Sequence, residues 1–251
     1  MIFGKKKSKS DDSNIISSGN ISSTTLFAIK EAYKTIRTNL ILNLEEKPCH
    51  VITITSSVAG EGKSTSSINL AIAIAQFDKK VLMIDGDLRK KRASRYLNYN
   101  STKGLTDVVT GQISFENAVN KTKYPNFDFL SSGSTVNNPA EILASRAMNT
   151  LIDELSAKYE FIIVDTPPVN IVSDALPLIK KSDGVILVAR GLVISNKDIN
   201  KLVSNLKMIN ANILGIIYIG TDSTQPYYHR RSYYGSSYYS KYSKYSGYET
   251  E

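Results

Sequence analysis

From Val51 to Gly220 the chain alternates short runs of branched apolar residues with segments long enough to be helices. That grammar restricts the fold more than any other feature. "HVITITSS", "KVLMIDGD", "FIIVDTPP", "GVILVAR" and "NILGIIYIG" are five such runs. Each is apolar on both faces rather than alternating, as strands covered by helices on both sides are. Helix-length spacers between them imply right-handed crossovers, so the expected fold is α/β, a mostly parallel sheet flanked by helices. At 251 residues the chain is long enough for one large domain of this kind with a well-buried core, or for two small ones.

Composition shifts set the expected boundaries. Residues 1–25 are polar and Ser-rich, with "KKKSK" near the start, and read as a flexible arm. Its Lys5, Lys6, Lys7 and Lys9 can meet an acidic membrane surface or simply be solvated. The domain proper is expected over 26–222. It opens on a helix at 26–45, where Ile29, Tyr33, Ile36 and Leu40 recur at helical spacing and Lys30, Glu31, Lys34 and Arg37 take the other face. Over 223–251, Ser, Tyr, Gly and Lys dominate and a disordered tail is expected. Nine of the fifteen tyrosines crowd into it: Tyr227, Tyr228, Tyr233, Tyr234, Tyr238, Tyr239, Tyr242, Tyr245 and Tyr248. No apolar run approaches the roughly 20 residues of a membrane span, and no apolar stretch follows the first lysines as a secretory signal would require. A single cysteine, Cys49, fits a reducing compartment, and two histidines far apart, His50 and His229, form no metal cluster. The net charge of +8 favours anionic partners without choosing among them.

The chemistry gathers where strands end. "SSVAGEGKST" lies between the first strand and the first long helix, where backbone N–H groups and a helix N-terminus can face phosphate oxygens. Gly60 and Gly62 allow close approach, Lys63 can reach the terminal phosphates, and Ser64 offers a hydroxyl to Mg²⁺ with Thr65 beside it. The usual pattern begins with glycine where this chain has Ser57, and Glu61 falls between the two glycines. Asp85 and Asp87 follow one buried run and Asp165 another. In an open parallel sheet the carboxyl ends of strands form the ligand-binding edge. Three carboxylates beside a phosphate loop can hold Mg²⁺ directly or through water. Ser57, Gly60, Glu61, Gly62, Lys63, Ser64 and Thr65 are therefore expected at a nucleoside triphosphate.

These motifs together resemble the bacterial tyrosine kinases of capsule and exopolysaccharide assembly, in the Gram-positive form whose kinase is separate from its membrane activator. "AGEGKST" is similar to their first Walker motif, "VLMIDGDLRK" to their second and "FIIVDTPPV" to their Walker B. "NPAEIL" at Asn138–Leu143, "SDGVILVAR" and the tyrosine cluster are further points of likeness. The resemblance implies a P-loop NTPase-type fold and an ATP- and Mg²⁺-dependent protein-tyrosine kinase. It implies Lys63 on the β- and γ-phosphates, and Ser64, Asp87 and Asp165 around the metal. Asp85 would be the favoured base for the incoming phenol, with the roles of Asp85 and Asp87 open to exchange. The tail tyrosines would be phosphoacceptors, used between subunits of a ring that is an octamer when unphosphorylated. The helix motif that supports such rings would fall on Glu31, Lys34 and Arg37. Lys34 stands where the family has arginine, which keeps the charge but not the bidentate fork. The implied partners are a transmembrane activator of the polysaccharide co-polymerase type and a tyrosine phosphatase. The implied location is the cytoplasm, at the membrane's inner face.

Two other readings stand beside this one. A partition or division-site ATPase uses the same scaffold, but usually carries lysine where this chain has Val58. Alternatively the tail could bind RNA or a protein partner, its tyrosines stacking on bases and Arg230, Arg231, Lys241 and Lys244 meeting phosphates. No nucleic acid is expected under the kinase reading. "RKKR" at Arg89–Arg92 is open between phosphate contact, an acidic partner and a solvated loop.

Overall fold

A computed structural model of the protein describes residues 23–99, 102–191 and 193–220. Most of the N-terminal arm and all nine tail tyrosines lie outside the described residues. Seven strands form one sheet: β1 His50–Ser56, β2 Val81–Asp85, β3 Asn120–Lys121, β4 Phe127–Leu130, β5 Phe161–Asp165, β6 Gly184–Arg190 and β7 Ile213–Ile219. Their spatial order is β3-β4-β2-β5-β1-β6-β7. Every neighbouring pair is parallel except β3 with β4.

The helices are α1 Ser23–Asn43, α2 Lys63–Ala75, α3 Arg92–Tyr96, α4 Leu105–Val109, α5 Phe115–Ala118, α6 Pro139–Ala144, α7 Arg146–Ser156, α8 Leu176–Lys181 and α9 Asn196–Met208. Strand alternation sorts the core into two sides. Ile52, Ile54, Met83 and Ile163 join α1, α2 and α3 on one face. Val51, Leu82, Ile84, Ile162 and Val164 meet α4 to α8 on the other, and α9 covers Val185 and Leu187 there.

The P-loop helix α2, "KSTSSINLAIAIA", has neither proline nor glycine, and its Ala, Leu and Ile favour helix. It is buried nearly all round, as a helix without a strong polar face must be. The sheet takes one side and α1 takes the other through Tyr33, Ile36 and Leu40. Burial of Ile68 and Ile74, both fully covered, contributes about 1.5–3 kcal/mol each.

The five expected strands are present and parallel. Two more join them. β4, "FDFL", is buried throughout and escaped the reading because it is short and interrupted by Asp128. That carboxylate is accommodated by Lys121 Nζ and the Tyr159 hydroxyl, at 2.6 and 2.7 Å. β7 departs from the buried pattern: Ile216 and Tyr218 are half exposed, because β7 is an edge strand. The first helix opens at Ser23 and closes at Asn43, so three residues read as part of the arm are helical.

Topology positions the site. After β1 the chain crosses through α2 to β2 on one side, while β6 and β7 fill the other. The order therefore reverses beside β1, and the carboxyl end of β1 opens onto the switch point where ligands bind in such sheets.

Candidate active site

β1 ends at Ser56 and the loop to α2 turns through two left-handed glycines, Gly60 and Gly62, each at φ 92°. Gly62 is the residue before α2, and among the described residues no side chain caps the helix there. The first-turn N–H groups are thus left for an anion, which the helix dipole also favours. Lys63 and Ser64 are nearly buried at the start of the helix. Ser57 does not have positive φ, so its backbone does not need the glycine of the usual pattern.

Asp85 and Asp165 are the last residues of β2 and β5 and face each other directly in the parallel register. Both are wholly buried and Asp87 nearly so. Gly86 N–H donates to the Asp165 carbonyl at 2.7 Å, which carries the chain tightly round toward Asp87. The Asp87 N–H donates to Asp85 Oδ1 at 3.3 Å and the Ser132 hydroxyl approaches Asp85 Oδ2 at 3.5 Å. The Ser67 hydroxyl donates to Asp165 Oδ1 at 3.2 Å. Asp165 Oδ2 is buried with no hydrogen-bond partner among the described residues.

Burial pushes the Asp85 carboxyl well above the usual range, and the neighbouring Asp165 and Asp87 push it further. Burial raises Asp165 too, against the opposing pull of Lys63 and the Ser64 hydroxyl. Negative charge is therefore crowded at one rim with Lys63 as the cation facing it. An orphaned carboxylate oxygen and two destabilised carboxylates fit a divalent cation. Among the described residues no three His, Cys, Asp or Glu side chains form a ready cage. Mg²⁺ does not require one, since it keeps several waters and shares phosphate oxygens with one or two carboxylates.

The structure thus brings Lys63, Ser64, Asp85, Asp87 and Asp165 together beside Ser57, Gly60, Glu61 and Gly62, with Thr65 half buried one residue further along α2. Glu31, Lys34 and Arg37 lie apart, on α1. Lys34 pairs with Glu31 at 2.7 Å. Arg37 folds onto its own molecule, donating to the Ala73 carbonyl at 3.2 Å and stacking 4.7 Å above the Phe77 ring. Its charge sits at the negative end of α2.

Two serines at the acidic centre went unread. Ser67 lies four residues after Lys63 and so projects from the same helix face, a spacing that could have been seen. Ser132 follows β4, so it was lost with that strand. "RKKR" resolves into separate tasks. Arg89 grips the buried Asp174 with two bonds of 2.6 and 3.2 Å. Lys91 reaches the Gly133 carbonyl at 2.6 Å. Exposed Lys90 and half-buried Arg92 are the other two.

A family model described as an AAA domain matches residues 49–217. The tyrosine-protein kinase YwqD of Bacillus subtilis is 37% identical over 206 residues, 82% of this chain and 86% of that protein. The putative tyrosine-protein kinase EpsB of Ralstonia solanacearum is 32% identical over 84% of this chain, which spans 28% of EpsB. Among solved structures, the chimerical protein CapA2B2 superimposes with a TM-score of 0.73 and 31% identity, covering 81% of this chain and 92% of that one. The kinase domain of the Escherichia coli tyrosine kinase ETK gives 0.74 and 30%, with coverages of 78% and 77%. The septum site-determining protein MinD of Pyrococcus horikoshii, solved with Mg-ADP, shares the sheet at a lower TM-score of 0.58 and 29% identity over 68% of this chain and 70% of that one. With its P-loop, its two aspartate-ended strands and these relatives along most of its length, the chain belongs to the bacterial tyrosine-protein kinases.

Proposed function

We propose that the protein transfers the γ-phosphoryl group of ATP to tyrosines in the tail of a neighbouring copy, and thereby regulates capsule or exopolysaccharide synthesis. One observation carries this reading. The buried Asp85–Asp165 pair and the phosphate loop occupy the same rim at which β7 releases the chain toward the tyrosine cluster. Ile219 packs directly on the loop, its Cδ1 2.8 Å from where a side chain on Gly62 would begin. The Gly191 N–H holds the Ile219 carbonyl at 2.9 Å.

In this scheme Lys63 and the N-terminus of α2 bind and orient the β- and γ-phosphates, and Ser64, Asp87 and Asp165 hold Mg²⁺. When bound, the metal supplies charge neutralisation at the transferring group, the main contribution in phosphoryl transfer. Asp85 takes the phenolic proton, with Asp87 as the alternative. A phenol with pKa about 10 needs such help, and burial gives Asp85 a higher proton affinity than an ordinary carboxylate has. The phenolic oxygen bonds to phosphorus as the bond to the β-phosphate oxygen breaks, and ADP leaves. A tail of about 25 residues extends on the order of 80 Å, far enough to enter a neighbour's site. A polysaccharide co-polymerase type activator would recruit the kinase to the membrane, and a phosphatase would reset the tail. The relatives named CapB in Staphylococcus aureus and CpsD in Streptococcus pneumoniae support the polysaccharide setting.

The test is purified protein with Mg-ATP, with and without the activator's cytoplasmic segment, and phosphotyrosine mapped by mass spectrometry. Tail tyrosines should carry label in the wild type and none in Lys63→Met. Label that persists on the tail in Lys63→Met would contradict the assigned centre.

A further inference from the structure

Glu61 presents a problem of charge. It lies in the middle of a loop that should receive a polyphosphate, where an acidic side chain pointing outward would repel the ligand. It is instead completely buried. One oxygen, Oε2, accepts from the Ser57 hydroxyl at 3.0 Å and the Val58 N–H at 2.8 Å. The other, Oε1, faces the backbone N–H of Arg190 at the end of β6, at 3.4 Å. Two of these donors belong to the first turn of the loop itself and the third to β6. The Arg190 guanidinium also reaches the Gly60 carbonyl at 3.4 Å, so a positive charge accompanies the buried carboxylate.

A buried carboxylate persists only where donors satisfy it, and here both oxygens have donors from the protein. The sequence alone placed Glu61 among the nucleotide contacts. Its bonds instead fasten the first turn of the loop, and the residue they capture is Ser57, the position at which the usual glycine is missing. The serine backbone is unstrained, and its hydroxyl is engaged by this carboxylate.

We propose that Glu61 is a positioning residue of the phosphate loop, a strut that replaces the turn normally set by the first glycine and leaves the N–H groups of Gly60 to Ser64 free for phosphate. The proposal rests on the nucleotide-binding reading above. The experiment measures binding of a fluorescent N-methylanthraniloyl-ADP to the full chain, with Mg²⁺ and with EDTA. Glu61→Ala leaves the Ser57 hydroxyl and the Val58 and Arg190 N–H groups without this acceptor, so affinity should fall about tenfold, equally in both conditions. Glu61→Gln keeps an acceptor and should hold affinity near wild type. Adding Ser57→Gly to Glu61→Ala removes one stranded donor and restores the standard glycine, so affinity should recover.

Unchanged affinity in Glu61→Ala would overturn the strut. A loss confined to the Mg²⁺ arm, or one that Ser57→Gly fails to rescue, would also overturn it by making Glu61 a ligand. Should Glu61→Ala fail to fold, Ser57→Ala in the intact background decides, since weakened binding is expected and unchanged binding refutes. Amide exchange at Val58 reads the strut without nucleotide, slow in wild type and fast in Glu61→Ala/Ser57→Gly, where the acceptor of that amide is gone. Slow exchange with no binding of the probe would reject the nucleotide reading alone, and fast exchange in wild type would reject the strut.

Discussion

Asp85 and Asp165 meet at the ends of neighbouring strands with no water-side escape for either charge. A carboxyl whose pKa is raised by folding binds protons more readily in the folded than in the unfolded state. Its contribution to stability therefore grows as pH falls from neutral toward the ordinary carboxylate range, and is unfavourable above the raised value. Asp85→Asn removes one of the opposed charges. Without metal it should melt higher than wild type, by about 2–4 °C for each kcal/mol of repulsion relieved, while tail phosphorylation is lost. Calorimetry from pH 7 to pH 5 should also show a flatter rise in stability for the variant. A lower melting temperature for Asp85→Asn at neutral pH would show that the carboxylate is stabilising in the empty site, against this account.

At the scale of elements, the acidic centre depends on how the turn after β4 is held. Asp107 at the start of α4 accepts from the Gly104 N–H at 2.8 Å, the Ser134 N–H at 3.0 Å and the Ser134 hydroxyl at 2.5 Å. Burial alone would raise its pKa, but the bonds from Ser134 and Gly104 outweigh it and hold the carboxyl below its usual value. The sign is opposite to that of Asp85. The stabilisation is complete above about pH 4 and is lost as pH falls through the lowered value. Asp107→Ala should cost about 1–3 kcal/mol at neutral pH and much less in acid, measured by urea unfolding at both pH values. Because the same turn carries Ser132 to Asp85, kcat should fall as well. The contact between α1 and α2 is a second such support. Leu40 is buried there, and Leu40→Ala should cost about 2–5 kcal/mol. Tyr33, also buried, donates to Ser66 Oγ at 3.2 Å, tying the first helix to the helix that begins at the phosphate loop.

For the whole molecule, the proposed transfer of phosphate to the tail has a consequence in charge. Each phosphate adds about −1.5 to −2 charges, so several would reverse the weakly positive tail and oppose close packing of neighbouring copies. If the tail is phosphorylated between assembled copies, light scattering before and after incubation with Mg-ATP should show a loss of mass, and equal masses would count against this repulsion loosening an assembly. Truncation after Gly220 should abolish that change and alter folding stability by less than about 0.5 kcal/mol.

The sequence by itself determined the layered α/β class, the five long strands, the phosphate loop and the aspartates at strand ends, because each is written in local periodicity or contiguous spacing. Only the tertiary structure decided which strands are neighbours. Strand order is a choice among crossovers that no local pattern encodes, and it alone sets Asp85 opposite Asp165 and leaves β7 at the edge. The same holds for single side chains. Glu61 reads in sequence as a loop residue at a nucleotide, and Arg37 as a surface cation. Burial against β6 and against the end of α2 turned both inward, since a charge follows the donors and acceptors that folding brings to it.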